Sequence, residues 1–211
     1  MTLTLVTAPP ALPITLAEAK TQLRVSSTAE DDYITGLIQS AVSLLDANNG
    51  ITGGRCMVQQ TWDWSLDGWP VRDPVYRPYA DLVTPICPVR SVDRITYLDL
   101  SGTEQTIDAT TYHVALGGDW PARIVMKPGY AWPPLYDVPD AATVRLTAGY
   151  APGSASPTDY AENVEPSLKQ AVKLLVSHWF DNRAPVNIGN ITTTLPMGVD
   201  ALLLPLRKFG F

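Results

Sequence analysis

Cysteine is scarce in this chain: Cys56 and Cys87 are the two in 211 residues, and neither stands in a CxxC pair. That excludes a disulfide scaffold and a cysteine-built zinc site, and makes a reduced, intracellular life the default expectation. Histidine is as scarce, with His113 and His178 in different predicted elements, where packing or capping accounts for them better than catalysis. No serine lies in a GxSxG elbow, there is no HExxH, and no Gly-rich loop bridges a strand and a helix to cradle phosphate. No apolar run approaches the ~20 residues that a membrane span needs. The start, "MTLTLVTAPPALP", lacks the basic region and long apolar core of a signal peptide, so a soluble chain made in a cytoplasm is expected. Basic residues are outnumbered, 15 Lys and Arg against 21 Asp and Glu, which argues against the basic stripe of a nucleic-acid-binding surface.

What is present is the material of a core: 45% hydrophobic residues against 17% charged. The net charge of −6 is unevenly spread. From Arg183 onward Arg183, Arg207 and Lys208 stand against Asp200, so the tail carries +2 and the remainder −8.

Two helices are expected first. "TLAE", Thr15 to Glu18, is a capping box in which the hydroxyl and the carboxylate satisfy orphan amides at a helix start, and Leu16, Ala19 and Leu23 then share a face. A second start is read at "STAEDD", with Ser27 capping, Glu30 three residues on, and Asp31 and Asp32 at the positive end of the helix dipole. Ile34, Leu37, Ile38, Ala41 and Leu45 form its apolar stripe, and Asn48-Asn49-Gly50 tolerates a left-handed stop. A third helix is expected at "EPSLKQAVKLLVSHWFDNR": Pro166 suits the first helical position, and Leu168, Ala171, Val172, Leu175 and Trp179 recur at helical spacing. Packed on the N-terminal hairpin, it would close one helical domain.

Between these, from about Arg55 to Tyr150, the period changes to two. Val58, Trp62, Trp64 and Leu66 alternate with Gln59, Thr61, Asp63 and Ser65, as in a half-buried strand. Further strands are read at "RITYLDL", "EQTID", "YHVAL", "RIVMK" and "TVRLTAGY", with "DLSGTE" as a hairpin turn in which Gly102 supplies positive φ. Prolines cluster between the strands, where a missing donor does least harm. The expectation is therefore an α+β chain: a helical domain, formed by an N-terminal hairpin and a long C-terminal helix, with an inserted antiparallel β-domain of about six strands and an extended C-terminal arm. The boundaries read are 1–54 and 160–183 for the helical parts, 55–150 for the β-domain and 184–211 for the arm.

Asp63 and Asp67 flank Trp64, and two acids near aromatic rings are the pattern of glycoside hydrolysis. Trp62, Trp64, Trp69, Trp120 and Trp132 suggest a sugar-stacking platform, but Trp62 and Trp64 share the alternating face expected to be core. A carbohydrate-binding or hydrolytic β-domain stands as the alternative function on these residues.

The end of the chain is its most unusual part. "APVNIGNITTTLPMGV" is sixteen residues without a charge, and "GVDALLLPLRKFGF" crowds four leucines and two phenylalanines into a terminus. Burial of those side chains does not by itself cover the entropy of ordering the segment, so it is expected to order on a partner protein and to be dispensable for the subunit's own fold.

The opening "ITLAEAKTQLRV" with "EDDYITGLIQSAVSLLD", the strand "QTWDWSLDGWP", the hairpin "SVDRITYLDLSGTEQTID", then "TVRLTAGY", "LLVSHWFDNR" and "LPMGVDALLLPLR" resemble, in order and spacing, the head-tail connector (head-completion, or portal adaptor) proteins of tailed phages and gene transfer agents. One stretch, "VRDPVYRPYADLVTPICPVR", is longer and richer in proline than the short strand expected there. The resemblance implies a structural virion protein without enzymatic activity, cofactor or membrane. Such proteins form a homo-oligomeric ring, usually of twelve, beneath the portal in the neck between head and tail, assembled in the bacterial host cytoplasm. The ring extends the DNA channel, through which DNA passes without specific binding, and offers a platform to a stopper or other tail-proximal connector.

In such proteins C-terminal segments embrace the portal. By position, the uncharged stretch with Ile188, Ile191 and Leu195 is expected to cross to the portal as an extended arm. Val199, Leu202, Leu203, Leu204 and Leu206, followed by Phe209 and Phe211, would dock there, while Arg207 and Lys208 meet acids at the rim of the groove. One or two helical turns are expected from Val199 to Leu204, ending at Pro205.

Overall fold

The computed structural model describes residues 1–47, 50–71, 80–153, 160, 162–183 and 197–207. It is a mixed α+β chain that divides into two compact units: Met1–Pro9 with Gln59–Gly149, and Pro10–Val58 with Tyr150–Phe211.

The second unit is helical. Helix α1 (Leu16–Leu23) begins at the expected capping box: Thr15 Oγ1 accepts from the Glu18 amide at 3.1 Å, and Glu18 Oε2 accepts from the Thr15 amide at 2.9 Å. Helix α2 (Asp31–Leu45) starts later than its predicted cap. Ser27 Oγ instead accepts from the Ala29 amide at 3.2 Å, a local turn that takes the hydroxyl before a helix can use it. The helix ends at Leu45, where Asp46 is extended and Ala47 takes φ 52°; Asn48 and Asn49, read as the stop, lie outside the described residues. Helix α3 (Pro166–Asp181) carries its proline at the first turn. Ile34, Ile38, Ala41 and Leu45 of α2 and Leu168, Ala171, Val172 and Leu175 of α3 are fully buried together, so the two predicted stripes face one core.

Among its described residues the first unit is an antiparallel β structure of eight strands in two sheets. The five-stranded sheet comprises β1 (Thr2–Thr7), β2 (Gln60–Leu66), β4 (Val89–Leu98), β5 (Glu104–Thr106) and β8 (Ala142–Ala148), in the order β1-β2-β8-β4-β5. The three-stranded sheet orders β3 (Leu82–Val83), β7 (Arg123–Met126) and β6 (Tyr112–Ala115) as β3-β7-β6. Strand β2 keeps the predicted alternation, with Gln60, Trp62, Trp64 and Leu66 buried, and β8 matches it residue for residue, Trp64 opposite Val144 and Trp62 opposite Leu146. The Asp99–Thr103 turn is also as read: Gly102 has φ 79°, and Asp99 Oδ1 accepts from the amides of Ser101 and Thr103.

Two strands lie outside the expected set, β1 and the two-residue β3. Assigning residues 1–54 to the helical part left out that the first of them pair with β2, Leu3 opposite Trp64 and Leu5 opposite Trp62. The partner lies some sixty positions along the chain, beyond any local pattern. The proline-rich stretch from Val71 to Arg90 supplies β3, with residues 72–79 outside the described set.

Candidate interaction surfaces

The residues first considered for chemistry are committed elsewhere. Asp63 lies opposite Arg145 in the β2–β8 register and accepts from its guanidinium at 2.7 and 2.6 Å, which holds the carboxyl below the usual carboxylate range. Asp67, beyond the end of β2, accepts from the Asp140 amide at 3.0 Å. Trp62 and Trp64 are buried, as their alternation predicts. Trp69 and Trp132 stack on each other with centroids 4.5 Å apart, and their indole N–H groups donate to the carbonyls of Pro133 and Ala80. Trp120 is exposed, apart from that stack. His178 lies in α3, where its carbonyl receives both the backbone and the side-chain N–H of Asn182; His113 is an exposed residue of β6. Among the described residues no cluster of His, Cys, Asp and Glu has the makings of a metal site, and no helix is long and apolar enough to cross a membrane.

The C-terminal segment presents two faces. Residues Met197–Leu203 form helix α4, followed by a 3-10 turn over Leu204–Leu206 that runs through Pro205 instead of stopping before it. Val199 and Leu203 are completely buried in the helical unit's own core, and Leu202 and Leu206 pack partly against it. Leu204 points away and is 55% exposed. Arg207, just past the 3-10 turn, meets Asp200 of α4 at 2.7 Å. The buried Arg55 donates through Nε to the Leu206 carbonyl at 3.2 Å and through Nη1 to the Tyr150 hydroxyl at 3.2 Å. The expectation of an extended arm that orders only on a partner thus meets a different arrangement over residues 197–207. The helix pairs part of its backbone internally, and α3 supplies a seat for its apolar face, the two contributions that the entropy argument lacked. Ile188, Ile191, Leu195, Lys208, Phe209 and Phe211 lie outside the described residues.

A second surface lies on the three-stranded sheet. Leu82, Ile124 and Tyr112 point to the buried side, while Val83, Arg123, Ala115 and His113 share the other face, which is exposed. Over that face runs an open cleft of about 870 Å³ walled by Tyr130 and Trp132, with Lys127 at one end. Sequence reasoning missed it, because its walls come from the loop 128–132 and its floor from residues of β6 and β7 brought together by pairing. Arg123 is paired with the buried Asp81, whereas the Lys127 ammonium donates to a carbonyl, that of Thr110, at 2.8 Å.

Residues 13–63 match the family model described as phage gp6-like head-tail connector protein. No curated protein matches the chain by sequence. Among solved structures, the chain is similar to one in the neck of an empty gene transfer agent particle computed with C6 symmetry, at 23% identity and a TM-score of 0.74, covering 100% of this chain and 97% of that one. It is likewise similar, at 23% identity and the same coverage, to chains in the virion of a native gene transfer agent particle (TM-score 0.70) and in the neck of the native particle computed with C12 symmetry (TM-score 0.66). The resemblance read in the sequence therefore holds: the chain matches the head-tail connector family over residues 13–63 and has, over its whole length, the fold of a protein found in a gene transfer agent neck.

Proposed function

We propose that the chain is a structural head-tail connector that assembles, without enzymatic activity, into a ring beneath the portal, extends the DNA channel and provides the platform for a stopper or other tail-proximal component. The observation that carries this reading is the coincidence of the two matches: the family model falls on α1, α2 and the start of β2, and the similar neck chain spans both units. Twelve subunits are proposed because a similar chain belongs to a neck computed with C12 symmetry. The acidic balance, −6 overall, suits a channel wall along which DNA slides without being held through its phosphates.

In this reading the C-terminal segment divides its labour. Val199 and Leu203 anchor α4 to the subunit, and Leu204, with the flanks of Leu202, Leu206 and Arg207, faces the portal. Ile188, Ile191, Leu195, Lys208, Phe209 and Phe211 belong to the same proposed contact. Electron microscopy of the particle, or of the chain mixed with its portal protein, tests the whole: a closed ring against the portal is expected, and isolated subunits scattered on the capsid surface would overturn it.

A further inference from the structure

We infer that neighbouring subunits join edge to edge, strand β1 of one copy adding to the free margin of β5 in the next, so that the five-stranded sheet continues from subunit to subunit. This deepens the ring reading and rests on it.

β1 is an unguarded edge. Its residues, TLTLVT, carry no charge and no proline. One side pairs with β2, and among the described residues no strand lies on the other. Five of the six residues are exposed, Leu5 and Val6 at 44% each. Protein edges are ordinarily blunted by charge, proline or a bulge, because a bare row of N–H and C=O groups is a template for another strand. Here one register shift, between Leu5 and Thr7, is the whole protection, and Thr2–Leu5 keep a regular register.

The opposite margin of the same sheet is open as well. All three residues of β5 are exposed. The Asp99 amide donates to the Thr103 carbonyl and the Ile107 amide to the Ile95 carbonyl, each at 2.9 Å, so positions 103, 105 and 107 turn their backbone groups toward β4. Glu104 and Thr106, which alternate with them, turn theirs outward. Four successive antiparallel pairings separate β1 from β5, so the two strands run in the same direction. A rotation that carries one subunit to the next thus sets β1 beside β5 as a parallel pair.

The faces match across such a joint. Cross-strand register places Thr2 and Thr4 on the face of Ser65, Asp63 and Arg145, and it places Glu104 and Thr106 on that same polar face by way of Thr96 and Thr143. β1 brings no acid against Glu104, and its threonine hydroxyls can donate to that carboxylate. Leu5 shares the other face with Trp62, where Gln105 and Ile107 would follow it. Joining opposite margins is a heterologous contact that repeats until rotation closes it. Pairing β1 with β1 would instead need a two-fold axis, which turns every second subunit over and cannot present one end of each to a portal.

Paired cysteines test the contact. In the full chain carrying Thr4→Cys and Thr106→Cys, four strand spacings, about 19 Å, separate the two positions within one subunit, and the native Cys56 and Cys87 are buried. A bis-maleimide too short to span that separation can therefore join only two copies. In particles carrying this chain it is expected to give a ladder of multimers, while either single variant stays monomeric. A dimer from Thr4→Cys alone would show β1 paired with β1 and overturn the proposal. Leu5→Lys, which puts a charge on the edge, should keep the circular dichroism spectrum and lower incorporation into particles at least tenfold; full incorporation would count against the joint. Rings seen by electron microscopy without a ladder would overturn this contact and leave the ring reading standing; absence of rings in the particle would overturn both.

Discussion

Arg55 donates through Nε to the backbone carbonyl of Leu206 at 3.2 Å, joining residues 151 positions apart. A buried guanidinium that donates to a carbonyl of the C-terminal segment ties Leu206 to the helical unit.

Removing residues 198–211 is therefore expected to destabilise the subunit. It takes Val199 and Leu203 from the core and the Leu206 acceptor from Arg55. The point variant Leu203→Ala should cost about 2 to 5 kcal/mol, as large-to-small changes at fully buried sites do. Urea unfolding followed by circular dichroism measures this, and an unchanged midpoint would show that α4 contributes nothing to the fold.

Leu204, one position on, should behave in the opposite way. At 55% exposure its truncation to alanine is expected to change stability by less than about 0.5 kcal/mol. Attachment to portal-bearing heads, measured by co-sedimentation, should fall by roughly tenfold if Leu204 anchors the contact. Full attachment by Leu204→Ala would remove it from the proposed portal surface.

Acid should loosen the helical unit through Glu18. Partial burial pushes its carboxyl up, but the Thr15 amide and the ammonium groups of Lys169 at 3.0 Å and Lys173 at 3.2 Å outweigh that and hold it down at about 2. Since the folded value lies below the ordinary 4.5, the stabilisation is complete above that pH and is lost as pH falls toward 2. Glu18→Gln should cost about 1 kcal/mol near neutrality, given solvent screening, and flatten the stability profile over that acid range. Thermal melts at stepped pH would show an unaltered slope if Glu18 were idle.

DNA should pass this protein by. With a formal charge of −6, the purified chain is expected to show no saturable binding of duplex DNA at about 0.15 M salt in fluorescence anisotropy. Tight binding that disappears as salt rises would contradict the proposed channel wall.

Much of the fold is legible in local sequence because local interactions produce it. The Thr15–Glu18 box, Pro166 at the start of α3, Gly102 in its turn and the alternation through Trp62 and Trp64 act within a few residues, and the structure keeps each of them. Ser27 misleads for the same local reason: its hydroxyl has a nearer partner in the Ala29 amide than the helix offers. Of the interaction surfaces, the apolar character of the C-terminal segment is visible in sequence, but the cleft walled by Tyr130 and Trp132 is not, since its wall is loop and its floor joins β6 to β7.

The sequence by itself determined the α+β class, the two helical stripes, the strand alternation and the resemblance to connectors, because period and capping depend on neighbours in the chain. Only the tertiary structure decided where β1 pairs, which leucines of α4 face inward, and that Arg55 reaches Leu206. Each of those joins residues far apart in sequence, and each depends on a surface, the edge of β2 or the side of α3, that exists only once the rest of its unit has folded.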